Sequence, residues 1–276
     1  MLIDERLLDT RSWRLVSSLF PPERPAVRDA GHEAWMAGHS EAHPGREILF
    51  GVDGECLYGL NGAPYRCSPG TVFLFGSFEP HDYCYPDKTD GVTHFWMSLV
   101  PDAMFGRLLK VRNGKHEVLR GSMLLHDKEL VCLLNRYWDE GSGGGRFARS
   151  RLLGALHLAM ASMLELEAYS KERASTLNHQ EKVIKAIERH IDETAGKGLT
   201  VESLAKLSGY SKFHFLRLFR KYTGSTVHGY IDAVRQAKAA EMLRHGDIKK
   251  TVAEKLGFSC PAAFSHWLKK QGEDAP

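Results

Sequence analysis

The sequence predicts a multidomain α+β chain: an N-terminal antiparallel β-barrel with accessory helices, then an all-α domain with two helix-turn-helix units. Three observations carry this. Short segments rich in β-branched and aromatic residues, split by Gly, Pro, Asn and Asp, crowd residues 46 to 100. The runs Leu204 to Gly224 (LAKLSGYSKFHFLRLFRKYTG) and 252 to 270 (VAEKLGFSCPAAFSHWLKK) share one helix, turn, helix layout. Charge also divides the chain. From Lys171 onward 19 Lys and Arg stand against 12 Asp and Glu, a net of +7, whereas residues 1 to 170 hold 18 against 22, a net of −4. A basic third on an acidic body suits a phosphate-binding module joined to a domain with another task.

In chain order, residues 1 to 30 open with a polar stretch and a Pro21-Pro22 turn. Segments 46 to 52 (REILFGV), 55 to 60 (ECLYGL), 71 to 75 (TVFLF) and 92 to 100 (VTHFWMSLV) read as strands, separated by Asp53-Gly54, Asn61-Gly62, Ser68-Pro69-Gly70 and Asp90-Gly91. Such close spacing argues for a barrel or jelly roll. After Pro101 the pattern turns helical: residues 102 to 110 are expected as one short helix, and 127 to 138, with Leu130, Leu133, Leu134 and Tyr137, as another. The run Gly141-Ser142-Gly143-Gly144-Gly145 is a flexible break within the domain. The next helix, about Arg146 to Tyr169, carries a stripe of Leu152, Leu156, Ala159, Met163 and Leu166, suited either to dimerisation or to packing on the barrel.

Residues 1–170 therefore form one domain, the polar stretch 171–179 a linker and residues 180–276 a second domain, opening on a helix with Val183, Ile184, Ile187 and Ile191. In its first unit Leu204, Ala205 and Leu207 give a short helix its apolar face, and Gly209 can take positive φ in the turn. Ser211 can cap a second helix running to about Tyr222. There Phe215, Leu218, Phe219 and Tyr222 form the buried face, leaving Lys212, His214, Arg217, Arg220 and Lys221 outside. Such a helix can offer cationic groups to phosphates and base edges; an ordinary amphipathic helix with a solvated basic side would show the same stripe. The second unit repeats the layout with Ala253, then Gly257 and Phe258 at the turn, Ser259 at the cap, and Phe264 and Leu268 inward. Residues 226 to 244 read as one spacer helix, its apolar positions Tyr230, Ile231, Val234, Ala237, Ala240, Met242 and Leu243. Two units so spaced would set two helices on one side of a duplex, about one helical turn apart.

The five cysteines, Cys56, Cys67, Cys84, Cys132 and Cys260, are scattered and odd in number, which suits reduced thiols in the cytoplasm. No apolar run approaches the roughly 18 to 20 residues that span a bilayer, and no basic start with an apolar core opens the chain. No membrane partner is expected.

The run A-x3-G-x-S-x3-F-x-R-x-F-[RK]-K-x2-G from Ala205 to Gly224, the spacer helix, then Val252-Ala253 and Gly257-Phe258, closely resemble the DNA-binding domain of the AraC/XylS family of bacterial transcriptional regulators, over roughly residues 180 to 270. The resemblance implies that Ser211, Lys212, Phe213, His214, Leu216, Arg217, Arg220 and Lys221 meet DNA. Phe213, Leu216 and Arg217 fall where side chains touch bases, Arg220 and Lys221 where they touch phosphates. In the second unit it points to Ser259, Cys260, Pro261, Ala262, Ser265, His266, Lys269 and Lys270. His266 replaces a common Arg, and Cys260, Pro261 and Ala262 offer few hydrogen bonds, so the first helix is expected to carry most base specificity. Leu216 departs from the small or polar residue usual there, and Lys249 from an apolar one.

In the N-terminal domain His43, Glu47 and Gly54 reproduce H-x3-E-x6-G, and Gly70 precedes His81 by eleven residues, so the expected fold resembles a cupin-like antiparallel β-barrel. Glu41 stands where that family places a further His. Three readings compete. His43, Glu47 and His81 could ligate a metal; a metal-free effector pocket could be lined by His39, His43, Glu47, His81, Tyr83, His94 and Trp96; or the histidines are structural residues at the barrel mouth. The pocket is the leading expectation, with no cofactor and a sugar or similar polar molecule as effector. The chain is thus expected to be a cytoplasmic, non-enzymatic regulator of promoter DNA, more an activator than a repressor, with a homodimer and RNA polymerase as further partners. The rival readings are a metal-dependent cupin enzyme with an incidental basic tail, and a DNA-binding regulator blind to ligand.

Overall fold

The computed structural model describes residues 5–170 and 176–273. The chain divides into two compact units, Met1–Ser175 and Thr176–Pro276. Among the described residues no helix is long and apolar enough to cross a membrane.

The first unit runs β1 (Arg14–Val16), α1 (Ala30–Met36), β2 (Ser40–Glu41), β3 (Arg46–Asp53), β4 (Cys56–Leu60), β5 (Ala63–Cys67), β6 (Thr71–Phe75), β7 (His81–Asp82), β8 (Val92–Val100), β9 (Ala103–Arg112), β10 (Lys115–His126), α2 (Lys128–Ser142) and α3 (Ala148–Ser170). The strands form two open sheets rather than one closed barrel, in the orders β1-β6-β3-β8-β9-β10 and β2-β7-β4-β5. All named pairings are antiparallel except β1 with β6, an edge pair made where the N-terminal segment returns along Thr71 to Phe73. Asn61 and Gly62, both at positive φ, close the two-residue hairpin between β4 and β5.

The centre of the larger sheet, β3, β6, β8 and β9, is buried on both faces. Ile48, Phe50, Phe95, Met97 and Leu108 pack with Leu130, Leu134, Leu152, Leu156 and Met160 of the two helices. The alternate residues Leu49, Phe73, Trp96 and Leu109 pack with Tyr58, Leu60 and Cys67 of the smaller sheet. This double burial overturns the helix expected over 102 to 110: the segment is β9, paired along β8 from Val92↔Val111 to Val100↔Ala103. A strand covered on two sides loses its polar alternation, and its apolar residues then mimic helical spacing. The stripe Leu152, Leu156, Ala159 and Met163 on α3 packs into the sheet-facing core, which decides its role as packing. Asp127 caps α2 by accepting from the Leu130 N–H, and the glycine run begins inside that helix, where Gly141 is buried against Phe20.

The second unit comprises α4 (Thr176–Thr194), α5 (Val201–Ser208), α6 (Lys212–Thr223), α7 (Val227–Arg244), α8 (Lys249–Leu256) and α9 (Pro261–Glu273). Residues 171–175 of the expected linker lie outside the described residues, and α4 begins before Gln180. Val183, Ile184, Ile187 and Ile191 of α4 are fully buried, as are Leu204, Phe215 and Phe219. The second half gathers Val252, Ala253, Leu256 and Phe264 with Ala239 of α7. Ala237 and Ala240, expected inward on α7, are exposed, and Ala239 takes the buried place. Arg235 of α7 donates to the carbonyls of Ala195 and Gly196 and lies over the Phe258 ring at 5.5 Å, tying the loop after α4 to the second half.

Candidate functional site

Gly209 ends α5 in the left-handed region at φ +71°, and Ser211 then caps α6 by accepting from the His214 N–H. Phe215, Leu218 and Phe219 turn inward, so the opposite face of α6 is set by the core. On that face Phe213 is 83% exposed, and Arg217, Arg220 and Lys221 are exposed with it. Leu216 is half-buried, and His214 sits half-buried with its ring 4.9 Å from Tyr210. Lys212 is exposed but ion-paired to Glu202 of α5. Lys221 lies over the Tyr222 ring.

In the second unit Gly257 makes the same left-handed turn, at φ +79°. The cap differs from the expectation at Ser259: α9 begins at Pro261, and the Cys260 sulfur accepts from the Ala263 N–H at 3.4 Å. Pro261 is thus the first helical residue, where a missing N–H costs nothing. That bond holds the Cys260 thiol below its ordinary range. Ser259, Cys260, Pro261, Ala262, His266, Lys269 and Lys270 are exposed and Ser265 is half-buried. Trp267 donates its indole N–H to Asp232 of α7.

The first unit holds two clusters of donor atoms between its sheets. At one, His43 Nε2 lies 3.5 Å and His81 Nε2 3.8 Å from Glu47 Oε2, and His81 Nε2 lies 3.8 Å from Glu41 Oε1. Donor atoms of Glu41, His43 and His81 all fall within 4.8 Å of one another. Ser98 donates to Glu47 Oε1 at 2.6 Å, and the buried Arg107 guanidinium stands 3.9 Å from the same oxygen. Burial lowers the His81 pKa, against the pull of Glu47. Phe75 stacks on His81 at 4.4 Å and on Trp96 at 5.7 Å.

The other expected pocket residues lie elsewhere. His94 faces the second cluster, with Nε2 3.8 Å from Cys56 Sγ and 3.4 Å from Cys67 Sγ, and Nδ1 2.7 Å from the Tyr85 hydroxyl. His39 stacks between Trp35 at 4.5 Å and Tyr83 at 6.1 Å, and Tyr83 is 42% exposed. A recess of about 520 Å³ opens beside Cys56, bounded by Asp29, His32, Arg66 and Lys88 among others. Glu41, Ser98 and Arg107 were not among the sequence's site candidates. For Arg107 the signal was one charge inside an apolar run, which a buried ion pair explains.

Residues 27–173 match the model of the AraC-like ligand binding domain, and residues 204–276 that of a helix-turn-helix domain. The chain is 26% identical over 199 residues to the Uncharacterized HTH-type transcriptional regulator YbfI of Bacillus subtilis, which covers 71% of this chain and 70% of that protein. It is 26% identical over 244 residues to the HTH-type transcriptional activator RhaS of Salmonella typhimurium, covering 85% and 84%. The crystal structure of ToxT from Vibrio cholerae O395 aligns over 84% of this chain and 86% of that one at 10% identity, with a TM-score of 0.26, too low to bear on the fold.

Proposed function

The chain belongs to the AraC family of transcriptional regulators, its ligand binding domain model alone spanning residues 27–173, and from that premise we propose that it reads promoter DNA chiefly through α6 and answers to a small polar effector held between the sheets of its first unit. The observation that carries the DNA reading is the outward set of Phe213, Arg217, Arg220 and Lys221 on a helix whose other face is core. Arg217 can meet a base edge, Phe213 a thymine methyl, and Arg220 and Lys221 phosphates. The α9 surface, with Pro261 and Ala262 at its start, mainly positions the protein. Relatives named as activators support activation, with RNA polymerase as the partner. Selection of bound duplexes from a random pool tests the reading: an enriched site of two elements about one helical turn apart supports it, and no enrichment would sink it.

The effector reading rests on Glu41, His43, Glu47 and His81 converging beside Phe75 and Trp96, since carboxylates and imidazoles against aromatic rings suit a hydroxyl-rich molecule such as a sugar. A ligand that binds only the native state raises the unfolding midpoint. A thermal-shift screen of the full chain against sugars and uronic acids, with and without chelator, should give a ligand-specific rise; a flat panel would favour a ligand-blind regulator. The same cluster favours a second reading. The Glu41 carboxylate and the His43 and His81 imidazoles fit a divalent ion, which would give an effector hydroxyl or carboxylate a positive anchor. A rise with metal alone, abolished by chelator, would select that reading.

A further inference from the structure

We infer that Cys56, Cys67 and His94 form a binding site for a thiophilic metal ion of the zinc class, separate from the Glu41, His43, Glu47 and His81 cluster. The two cysteines are direct partners in the β4 and β5 ladder, Cys56↔Cys67, so the hairpin sets both sulfurs side by side. His94 comes from β8 of the facing sheet and closes the triangle, the three donor atoms lying within 4.8 Å of one another. The distances discriminate further. Ligands about 2.3 Å (sulfur) and about 2.0–2.1 Å (nitrogen) from one ion at tetrahedral angles stand roughly 3.6 Å apart. Observed separations from His94 Nε2 are 3.4 and 3.8 Å, on either side of that edge length.

The surroundings fit as well. A ligating histidine is held by its other ring nitrogen, and here Nδ1 is 2.7 Å from the Tyr85 hydroxyl. His94 is 1% exposed, and its Nε2 faces two sulfurs, weak hydrogen-bond partners for a buried imidazole; coordination gives that lone pair a full partner. Gly51 of β3 lies against Cys67, where a Cβ would come 3.2 Å from Sγ, so no side chain blocks the sulfur from that strand. Cys67 is buried, but Cys56 borders the recess of about 520 Å³, which offers an entry path and room for a fourth ligand. Three protein ligands with one place open to a recess describe a site that can exchange its ion. Sulfur and imidazole donors select a soft or borderline ion over magnesium or calcium.

The test uses the full chain, reduced, stripped with chelator and titrated with Co2+. One equivalent should produce a thiolate-to-cobalt charge-transfer band and intense tetrahedral d–d bands, both erased by one equivalent of Zn2+. Cys67→Ser should weaken binding at least tenfold and remove most of the charge-transfer intensity, whereas Cys132→Ser, on the exposed face of α2, should leave both unchanged. A second readout needs no variant. Zn2+ should protect Cys56 and Cys67 from alkylation while Cys132 and Cys260 still react, as read by peptide mass spectrometry. Cobalt bound without a thiolate band, sulfurs left unprotected by zinc, no binding at micromolar metal, or a Cys56–Cys67 disulfide that persists in the reduced chain would each overturn the proposal.

Discussion

Lys212, the first residue of α6, is ion-paired with Glu202 in the first turn of α5. Both side chains are half or more exposed, so the pair adds little to stability. Its consequence is electrostatic: the carboxylate occupies a cation that the unit would otherwise present to phosphates. Glu202→Gln should therefore strengthen binding to random DNA and steepen the dependence of log affinity on log salt by about one phosphate's worth. Fluorescence anisotropy across a salt series checks this, and an unchanged slope would show that Lys212 already reaches DNA.

Arg217 is exposed on the face of α6 opposite Phe215 and Phe219. Arg217→Ala should cost about 1–3 kcal/mol on the selected site and much less on random DNA. Lys221→Ala should weaken both by a similar factor. Equal losses for Arg217→Ala on both duplexes would mean that it reads no base.

His81 is buried beside Glu47, and burial holds its pKa below the ordinary value of 6.5. In the unfolded chain the imidazole titrates near that value, so below it the unfolded state binds more protons and stability falls as pH drops. The urea midpoint of the full chain, followed by tryptophan fluorescence, should fall between pH 7.5 and 5.5. His81→Gln should flatten part of that fall; an unaltered slope would place the acid sensitivity elsewhere.

Gly51 sits in β3 where an added Cβ would meet the Ser68 carbonyl oxygen at 2.4 Å. The obstacle is backbone and cannot rotate away. Gly51→Ala should cost at least about 1–3 kcal/mol in urea unfolding, and an alanine variant as stable as the parent would show that the strand can shift.

The second unit was legible because its signals are local. Gly209 and Gly257 must adopt positive φ, Ser211 must cap, and the faces of α4 and α6 follow from 3.6-residue spacing, all readable within a dozen residues. The first unit was half legible. Strands β3, β4, β6 and β8 stood out through their bounding turns, but β9 read as helix because both its faces are covered, and β5 carries Pro64 as its second residue. The donor clusters depend on pairing between distant strands: Glu47 meets Ser98 only through the β3–β8 register, and His94 meets Cys67 only because two sheets face each other. Spacing along the chain could group His43, Glu47 and His81, but it could not divide them from His94, His39 and Tyr83.

Neighbours Trp96 and Met97 of β8 belong to different compartments, one facing the smaller sheet and the other the layer of α2 and α3. A close-packed strand cannot yield on one side alone. Any guest that pushes Trp96 outward moves the backbone that carries Met97, and so presses on Met160 and its helix. The middle layer is in this sense a shared wall, and a guest on its inner side would be felt at α3 on its outer side without a dedicated relay of side chains.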